Sequence, residues 1–135
     1  MDAKQISNRI PIEFFNKDIY ATEVTGIKID NADVNYAKCS LKIEAKHLNA
    51  ANQVMGGVLF TIADFAFAVA ANIGGNLTVS LNSNISFLST VKGDMIYAET
   101  ELVKDGAGTC VFNVHVTDNT GREVAVVTVT GYRIN

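Results

Sequence analysis

The chain has no tryptophan, a single proline and only two cysteines, Cys39 and Cys110. The cysteines show neither a CxxC spacing nor neighbouring histidines, which argues against a disulfide framework and a zinc site. Few, unpaired cysteines are typical of a reducing compartment, so we expect a cytoplasmic protein. The first ten residues, MDAKQISNRI, contain no apolar stretch and therefore predict no signal peptide.

An excess of positive charge is also missing. Eleven Lys and Arg residues stand against fourteen Asp and Glu, which gives a net charge of −3. A nucleic-acid-binding domain would carry a basic face, so nucleic acid is not an expected partner. Intrinsic disorder is excluded because 48% of the residues are apolar and only 19% are charged. The 135 residues predict one domain, 1–135, with a single hydrophobic core.

Long apolar runs are absent with one exception, residues 54–73. The run is long enough to cross a bilayer, but Asp64 lies in its middle and alternating strands flank it, so no membrane insertion is expected. Its central part, Gly57–Asn72, is rich in alanine and too long for a strand, which predicts an α-helix. Apolar side chains occupy nearly its whole circumference, and this pattern predicts a helix buried on all sides.

The rest of the chain alternates polar and apolar residues with the period of β-strands. The predicted fold class is therefore α+β, with five or six antiparallel strands wrapped around one long central helix. We expect a second subunit to cover an edge of so long a sheet. The individual predictions are a short helical segment from Pro11 to Gly26, a turn at Asn31 and Ala32, a hairpin at Asp118–Gly121, and one shared face for Val79, Leu81, Ile85 and Phe87.

Asp64 and the two glycines before the helix are the candidate functional residues. A carboxylate in an apolar run must be hydrogen-bonded, paired or shifted in its pKa, and a structural and a functional role for Asp64 remain equally open. Gly56 and Gly57 stand at the helix start, where unpaired N–H groups can stabilise an oxyanion. The spacing from Gly56 to Asp64 is a little over two helical turns, so both groups can face one cleft.

The segment HLNAANQVMGGVLFTIADFAFAVAAN, followed by SLNSNISFLSTVKGD, resembles the hotdog-fold acyl-CoA thioesterases, and among them the PaaI-like (phenylacetic-acid-degradation) group. The likeness extends over residues 15–133. It implies the hotdog fold, an antiparallel sheet around a long helix. It also implies a homodimer, and further a dimer of dimers, with the active sites at the subunit interface. The implied ligand is an acyl-CoA, whose coenzyme A is part of the substrate, and no separate cofactor or metal is expected.

The resemblance also implies roles for individual residues. Asp64 matches the family's general base or nucleophile, and Gly56 matches the glycine whose N–H polarises the thioester carbonyl. Asn49 matches the residue that orients water or the thioester from the facing subunit. The other expected substrate contacts are Gly57, Met55, Ser80, Phe60 and Phe67, although core packing is the more frequent reason for the aromatic residues. From charge alone, and not from the resemblance, the CoA nucleotide is expected on the surface near Lys92, Arg122 or Arg133.

One position departs from the family pattern. Met55 stands where the family usually has a histidine before the two glycines, and methionine can neither donate a proton nor carry charge. The expected function is hydrolysis of an acyl-CoA to free acid and CoA. The alternative that Met55 motivates is a non-catalytic acyl-CoA-binding or scaffold protein. A hotdog dehydratase is less favoured because neither His47 nor His115 lies in a matching motif.

Overall fold

The computed structural model describes residues 9–134, and the expectation about a leader peptide concerns residues that lie largely outside this range. Six antiparallel strands form one sheet in the order β1-β2-β4-β5-β6-β3, so that β1 and β3 are its edges. The predicted α+β class is confirmed, with six strands and one long helix. The elements are β1 (Lys28–Asp33), β2 (Tyr36–Lys42), α1 (Gly56–Asn72), β3 (Thr78–Phe87), β4 (Met95–Asp105), β5 (Thr109–Asp118) and β6 (Glu123–Arg133).

The hydrophobic core lies between the concave face of the sheet and α1. Alternate residues of β5 and β6 point into it, and Phe112 of β5 meets Phe67 of α1 edge to face, with 5.5 Å between ring centroids. Such aromatic pairs add to the stabilisation from area burial alone. Cys39 and Cys110 are free and buried in this core, where they pack as small apolar side chains.

The residues before β1 form a lead-in that packs on α1. It consists of a 3₁₀ helix, Ile12–Lys17, which begins after Pro11, and a π-helical turn, Tyr20–Thr25. The turn ends at Gly26, whose φ of 96° is the left-handed conformation that favours glycine. The predicted helical segment is therefore confirmed, although it is divided into two short pieces.

The composition of α1 predicted a helix that is buried on all sides, and this prediction is wrong. One side of the helix remains at the surface, and it contains Gly57, Thr61, Asp64 and Ala68. These residues are spaced at intervals of four, three and four, which places them in one row along the helix. Glycine and alanine count as apolar in the sequence pattern but cover little area, so this row was not recognised. None of the helices within residues 9–134 could span a membrane. The row, called the surface stripe below, consists of Gly57, Thr61, Asp64 and Ala68.

The edge strand β3 contains a β-bulge at Leu81, which has no partner in the ladder with β6. Residues that face each other across an antiparallel pair lie on the same side of the sheet. Before the bulge, Val79 opposes Tyr132 on the outer side, whereas after it Ile85 opposes the buried Val127 on the side of α1. The prediction that these apolar residues share one face is therefore wrong, because the bulge reverses the alternation.

The hairpin between β1 and β2 turns at Val34 and Asn35, and the predicted turn at Asn31 and Ala32 is wrong. Asn31 instead pairs with Lys38 in the ladder, beyond a bulge that lets β1 continue to Asp33. Asn35 adopts a φ of 61°, and asparagine tolerates this left-handed conformation better than most residues.

Arg133 closes one end of the molecule. Its Nη1 donates to the carbonyl of Ala71 at 2.8 Å and to the Thr78 hydroxyl at 2.9 Å. Its Nη2 donates to Asp105 at 2.7 Å and to the side-chain oxygen of Asn35 at 3.1 Å. This buried guanidinium joins the end of α1 to β3, β4 and the β1–β2 turn, whereas the sequence analysis expected it at the surface near a CoA nucleotide.

Candidate active site

Three cavities surround the first half of α1. The Gly56 cavity, about 400 Å³, lies between the helix start and the end of β3. The Met55 cavity, about 440 Å³, and the Asp64 cavity, about 340 Å³, lie between α1 and the lead-in. Tyr20 and Thr61 line both of the latter two, so these cavities are neighbours along the surface stripe.

Asp64 is an ionisable residue that lines the Asp64 cavity. Its carboxylate makes no hydrogen bond or ion pair with any residue in the described part of the chain. The outer edge of the side chain is exposed, but neighbouring groups remove part of it from water. This burial, and secondly the negative charge of Asp18, raise the pKa of Asp64 above its usual range. Such a carboxylate is well suited to take up a proton.

The start of α1 offers two free hydrogen-bond donors. Met55 precedes the helix without a side-chain cap, its own N–H donates to the carbonyl of His47, and its carbonyl accepts from Val58. The N–H groups of Gly56 and Gly57 have no acceptor within residues 9–134. They lie at the positive end of the helix dipole, where a developing negative charge is stabilised.

The two glycines differ in what surrounds them. A Cβ atom at Gly56 would lie 2.9 Å from two ring atoms of Phe87, which is closer than a real contact allows. A Cβ atom at Gly57 would meet only the terminal methyl of Met55, at an ordinary 3.7 Å. Glycine at position 56 therefore lets the Phe87 ring approach the free N–H groups. The sequence analysis did not identify Phe87 as a functional residue.

Gly56 and Asp64 do not share a cavity within one chain, although the sequence analysis expected them to face one cleft. Gly56 opens into the Gly56 cavity, whereas Asp64 lies on the surface stripe with Gly57. The reason is helical geometry, since a spacing of seven residues is close to two turns and a spacing of eight is not. Gly57 is consequently the glycine on the same side of the helix as Asp64.

The expected substrate contacts are only partly brought together. Met55, Gly57 and Phe60 line the Met55 cavity. Phe67 instead lies in the core with an exposed fraction of 2%, so it lines none of the three cavities. Ser80 is exposed on the edge strand β3, away from these cavities.

Asn49 lies in the loop before α1 and shapes that loop. Its side-chain oxygen accepts hydrogen bonds from the N–H groups of Ala51 at 2.9 Å and Gln53 at 3.1 Å. These local bonds form an Asx-type turn, while the side chain itself stays exposed. Asn49 lines none of the three cavities of its own chain.

The two histidines have different surroundings. His47 is buried, accepts at Nδ1 from the Glu44 N–H at 2.9 Å and donates from Nε2 to the Thr25 carbonyl at 2.8 Å. It thereby ties the lead-in to the loop before α1. His115 lies on the outer face of the sheet, with its ring nitrogens 3.0 and 3.2 Å from carboxylates of Glu123 and Glu101. Within residues 9–134, no cluster of three or more metal-ligating side chains was found.

Comparison with known proteins places these features in a family context. The family model of the thioesterase superfamily matches residues 51–125, a range that includes the helix start and Asp64. The acyl-coenzyme A thioesterase PaaI of Escherichia coli is 31% identical over 110 residues, which cover 81% of this chain and 79% of that protein.

Two solved structures share the whole architecture. The PaaI protein from the phenylacetic acid degradation operon of E. coli matches with a TM-score of 0.86 and 27% identity, covering 98% of this chain and 94% of the other. A hypothetical thioesterase protein of Streptococcus pneumoniae, solved with coenzyme A, matches with a TM-score of 0.83 and 26% identity. That match covers 93% of this chain and 98% of the other.

Proposed function

The chain belongs to the thioesterase superfamily, and from this premise we propose that it hydrolyses an acyl-CoA with Asp64 as the general base or nucleophile. It is a thioester hydrolase with the PaaI-like hotdog fold, as the sequence resemblance implied. The observation that carries the proposed role is the state of the Asp64 carboxylate. No group within residues 9–134 donates a hydrogen bond to it, and its pKa is raised. It lies on the same helix as two free N–H groups. The relative solved with coenzyme A supports an acyl-CoA ligand.

Two routes are compatible with this arrangement. In the first, Asp64 takes a proton from water, whose oxygen adds to the thioester carbon; the C–S bond then breaks and the thiolate takes the proton from Asp64. In the second, the Asp64 carboxylate itself adds to the carbon and displaces the thiolate, and water cleaves the resulting anhydride. In both, helix N–H groups stabilise the oxyanion.

A homodimer would bring the separated groups together. The edge strand β3 presents a long ladder edge together with exposed apolar side chains, and such an edge favours pairing with a second strand. We infer that pairing along β3 places Gly56 and Asn49 of one subunit near Asp64 of the other. A further dimer of dimers and a cytoplasmic location stay predictions.

The lining of the Gly56 cavity supports an uncharged, apolar acyl group. None of the side chains that line it carries a charge, and most of them are apolar. A carboxylate on the acyl group would lose hydration there without gaining a partner. The lining residues include Val54, Leu59, Phe87, Leu88 and Val91, with Gln53, Ser89 and Thr90 as polar neighbours.

The first experiment measures thiol release from a panel of acyl-CoAs. We expect turnover of apolar aliphatic or aryl esters, and for succinyl-CoA a kcat/KM lower by about tenfold or more because its free carboxylate must be desolvated. Binding of these esters without any thiol release would contradict the proposal and would support the non-catalytic alternative that Met55 motivates.

The second experiment tests whether the site is shared between subunits. Asp64→Asn and Gly56→Val variants are each expected to be nearly inactive as homodimers. In a mixed dimer, one of the two sites would contain Asp64 from one subunit and Gly56 from the other, so mixing should restore about a quarter of the wild-type rate. If mixing restores nothing while mixed dimers form, the shared site is excluded and Asp64 acts with an N–H donor of its own chain.

A further inference from the structure

Asp18 is a second carboxylate in the Asp64 cavity. It follows the 3₁₀ helix of the lead-in, and its backbone carbonyl accepts hydrogen bonds from the N–H of Thr22 at 2.9 Å and from the Thr22 hydroxyl at 3.0 Å. These bonds fix the backbone at Asp18. The side chain makes no hydrogen bond or ion pair with another residue in the range 9–134. The carboxylate therefore has no structural partner that would explain its position.

The Asp64 cavity contains no positive charge among its lining residues. The lead-in contributes Asp18 and one other titratable group, the Tyr20 hydroxyl, and α1 contributes Asp64 with uncharged neighbours. Two carboxylates thus share a space of about 340 Å³, and none of the residues that line it provides a counter-ion. Their proximity is sufficient for the charge of Asp18 to be felt at Asp64, where it adds to burial in raising the pKa.

We propose that Asp18 is a positioning residue for the reaction, and that its negative charge makes Asp64 the stronger proton acceptor. The inference rests on the proposed function and on its first route, in which Asp64 takes a proton from water. A neighbouring negative charge destabilises the ionised form of Asp64 and favours the form that has gained the proton. Because a stronger base removes a proton more readily, the charge of Asp18 speeds the step at pH values where Asp64 is ionised.

The test replaces Asp18 with asparagine, which has nearly the same shape and no charge. We expect the acid limb of the kcat/KM profile to move to lower pH, while the plateau falls by no more than about threefold because the base is weaker. Asp18→Glu keeps the charge and should keep the wild-type profile. Glu23→Gln removes a charge from the same lead-in outside the three cavities, and should leave the limb unmoved.

A second readout does not depend on turnover. The carboxyl carbon of Asp64, assigned with the Asp64→Asn variant, is titrated by NMR in the wild type and in Asp18→Asn. A lower apparent pKa in Asp18→Asn supports the inference, even if no acyl-CoA were hydrolysed and the proposed function failed. An unchanged titration of Asp64 in a folded Asp18→Asn variant would overturn it, whatever the activity.

Discussion

Two aspartates of this chain, Asp118 and Asp64, have opposite surroundings. Asp118 lies at the β5–β6 turn with an exposed fraction of 2%, and its carboxylate accepts from the N–H groups of Lys92, Thr120 and Arg122. Burial alone would raise the pKa of Asp118, but these bonds and the Thr120 hydroxyl outweigh it and lower the pKa to about 2. Asp64 has no such donor, and its pKa is raised.

The difference separates a structural carboxylate from a reactive one. The bonds to Asp118 stabilise its charge and hold the turn and the loop before β4 in place, so the group has no capacity left for a ligand. No residue in the range 9–134 donates a hydrogen bond to Asp64, which lies beside the like charge of Asp18 and lines the Asp64 cavity. A carboxylate left without a partner contributes little to stability, and it remains available for chemistry.

Exchanging each aspartate for asparagine gives the largest expected effect. Asp64→Asn should lower kcat by about a thousandfold or more because the base or nucleophile is lost, while thermal stability stays close to the wild type. Asp118→Asn should behave in the opposite way, with reduced stability and near-normal kcat below its melting transition. Thiol release and thermal melts of both variants check this, and full activity of Asp64→Asn would contradict the proposed function.

The second largest expected effect is the contribution of Asp118 to the pH dependence of stability. The folded pKa of Asp118, about 2, lies below its unfolded value of 3.8, so its charge stabilises the fold above about pH 4 and the contribution is lost as pH falls toward 2. The contribution is at most about 2 kcal/mol, since solvent near the turn screens part of it.

Denaturant titrations across this pH range should therefore show the free energies of unfolding of wild type and Asp118→Asn converging toward pH 2. Glu13→Gln, which removes an exposed charge on the lead-in, serves as the control and should show no such convergence. A constant difference between wild type and Asp118→Asn down to pH 2 would refute the assignment of the stabilising effect to the charge.

The two glycines should show the smallest effect. Gly56→Ala would force the Phe87 ring away from the free N–H groups and should lower kcat/KM by about tenfold, whereas Gly57→Ala fits beside Met55 and should change it by about twofold or less. The double variant Gly56→Ala, Phe87→Ala removes the contact and distinguishes steric displacement from a requirement for glycine itself. Equal losses for both single variants would show that the ring is not involved.

The sequence predicted those parts of the fold that depend on local patterns. The long helix, the alternating strands and the hairpin ending at Gly121 follow from composition, period and turn residues, and Gly121 indeed adopts a left-handed φ of 86°. The bulge at Leu81 leaves no comparable trace in the sequence, because an extra residue in a strand looks like any other residue until its pairing is known.

The candidate site was also harder to predict, because it too depends on which distant residues the fold brings together. Phe60 and Phe67 lie two turns apart on one side of α1, but only the second is covered by the sheet, through Phe112. The charge in the apolar run and the helix start identified Asp64 and the glycines as candidates, and the resemblance then implied their roles. Asp18 and Asp64 come to line one cavity only through the tertiary fold, and no spacing along the chain predicts which distant residues will share a cavity.

The surface stripe of α1 has a consequence for how such a protein can change over generations. Its members, Gly57, Thr61, Asp64 and Ala68, are small or polar and contribute little to the core, which the other sides of the helix build. Substitutions there can alter the chemistry or the shape of two cavities with little loss of folding stability. The helix thus combines a core-forming scaffold with positions such as Thr61 and Ala68, which can change beside an unchanged Asp64, so that single mutations can alter substrate preference.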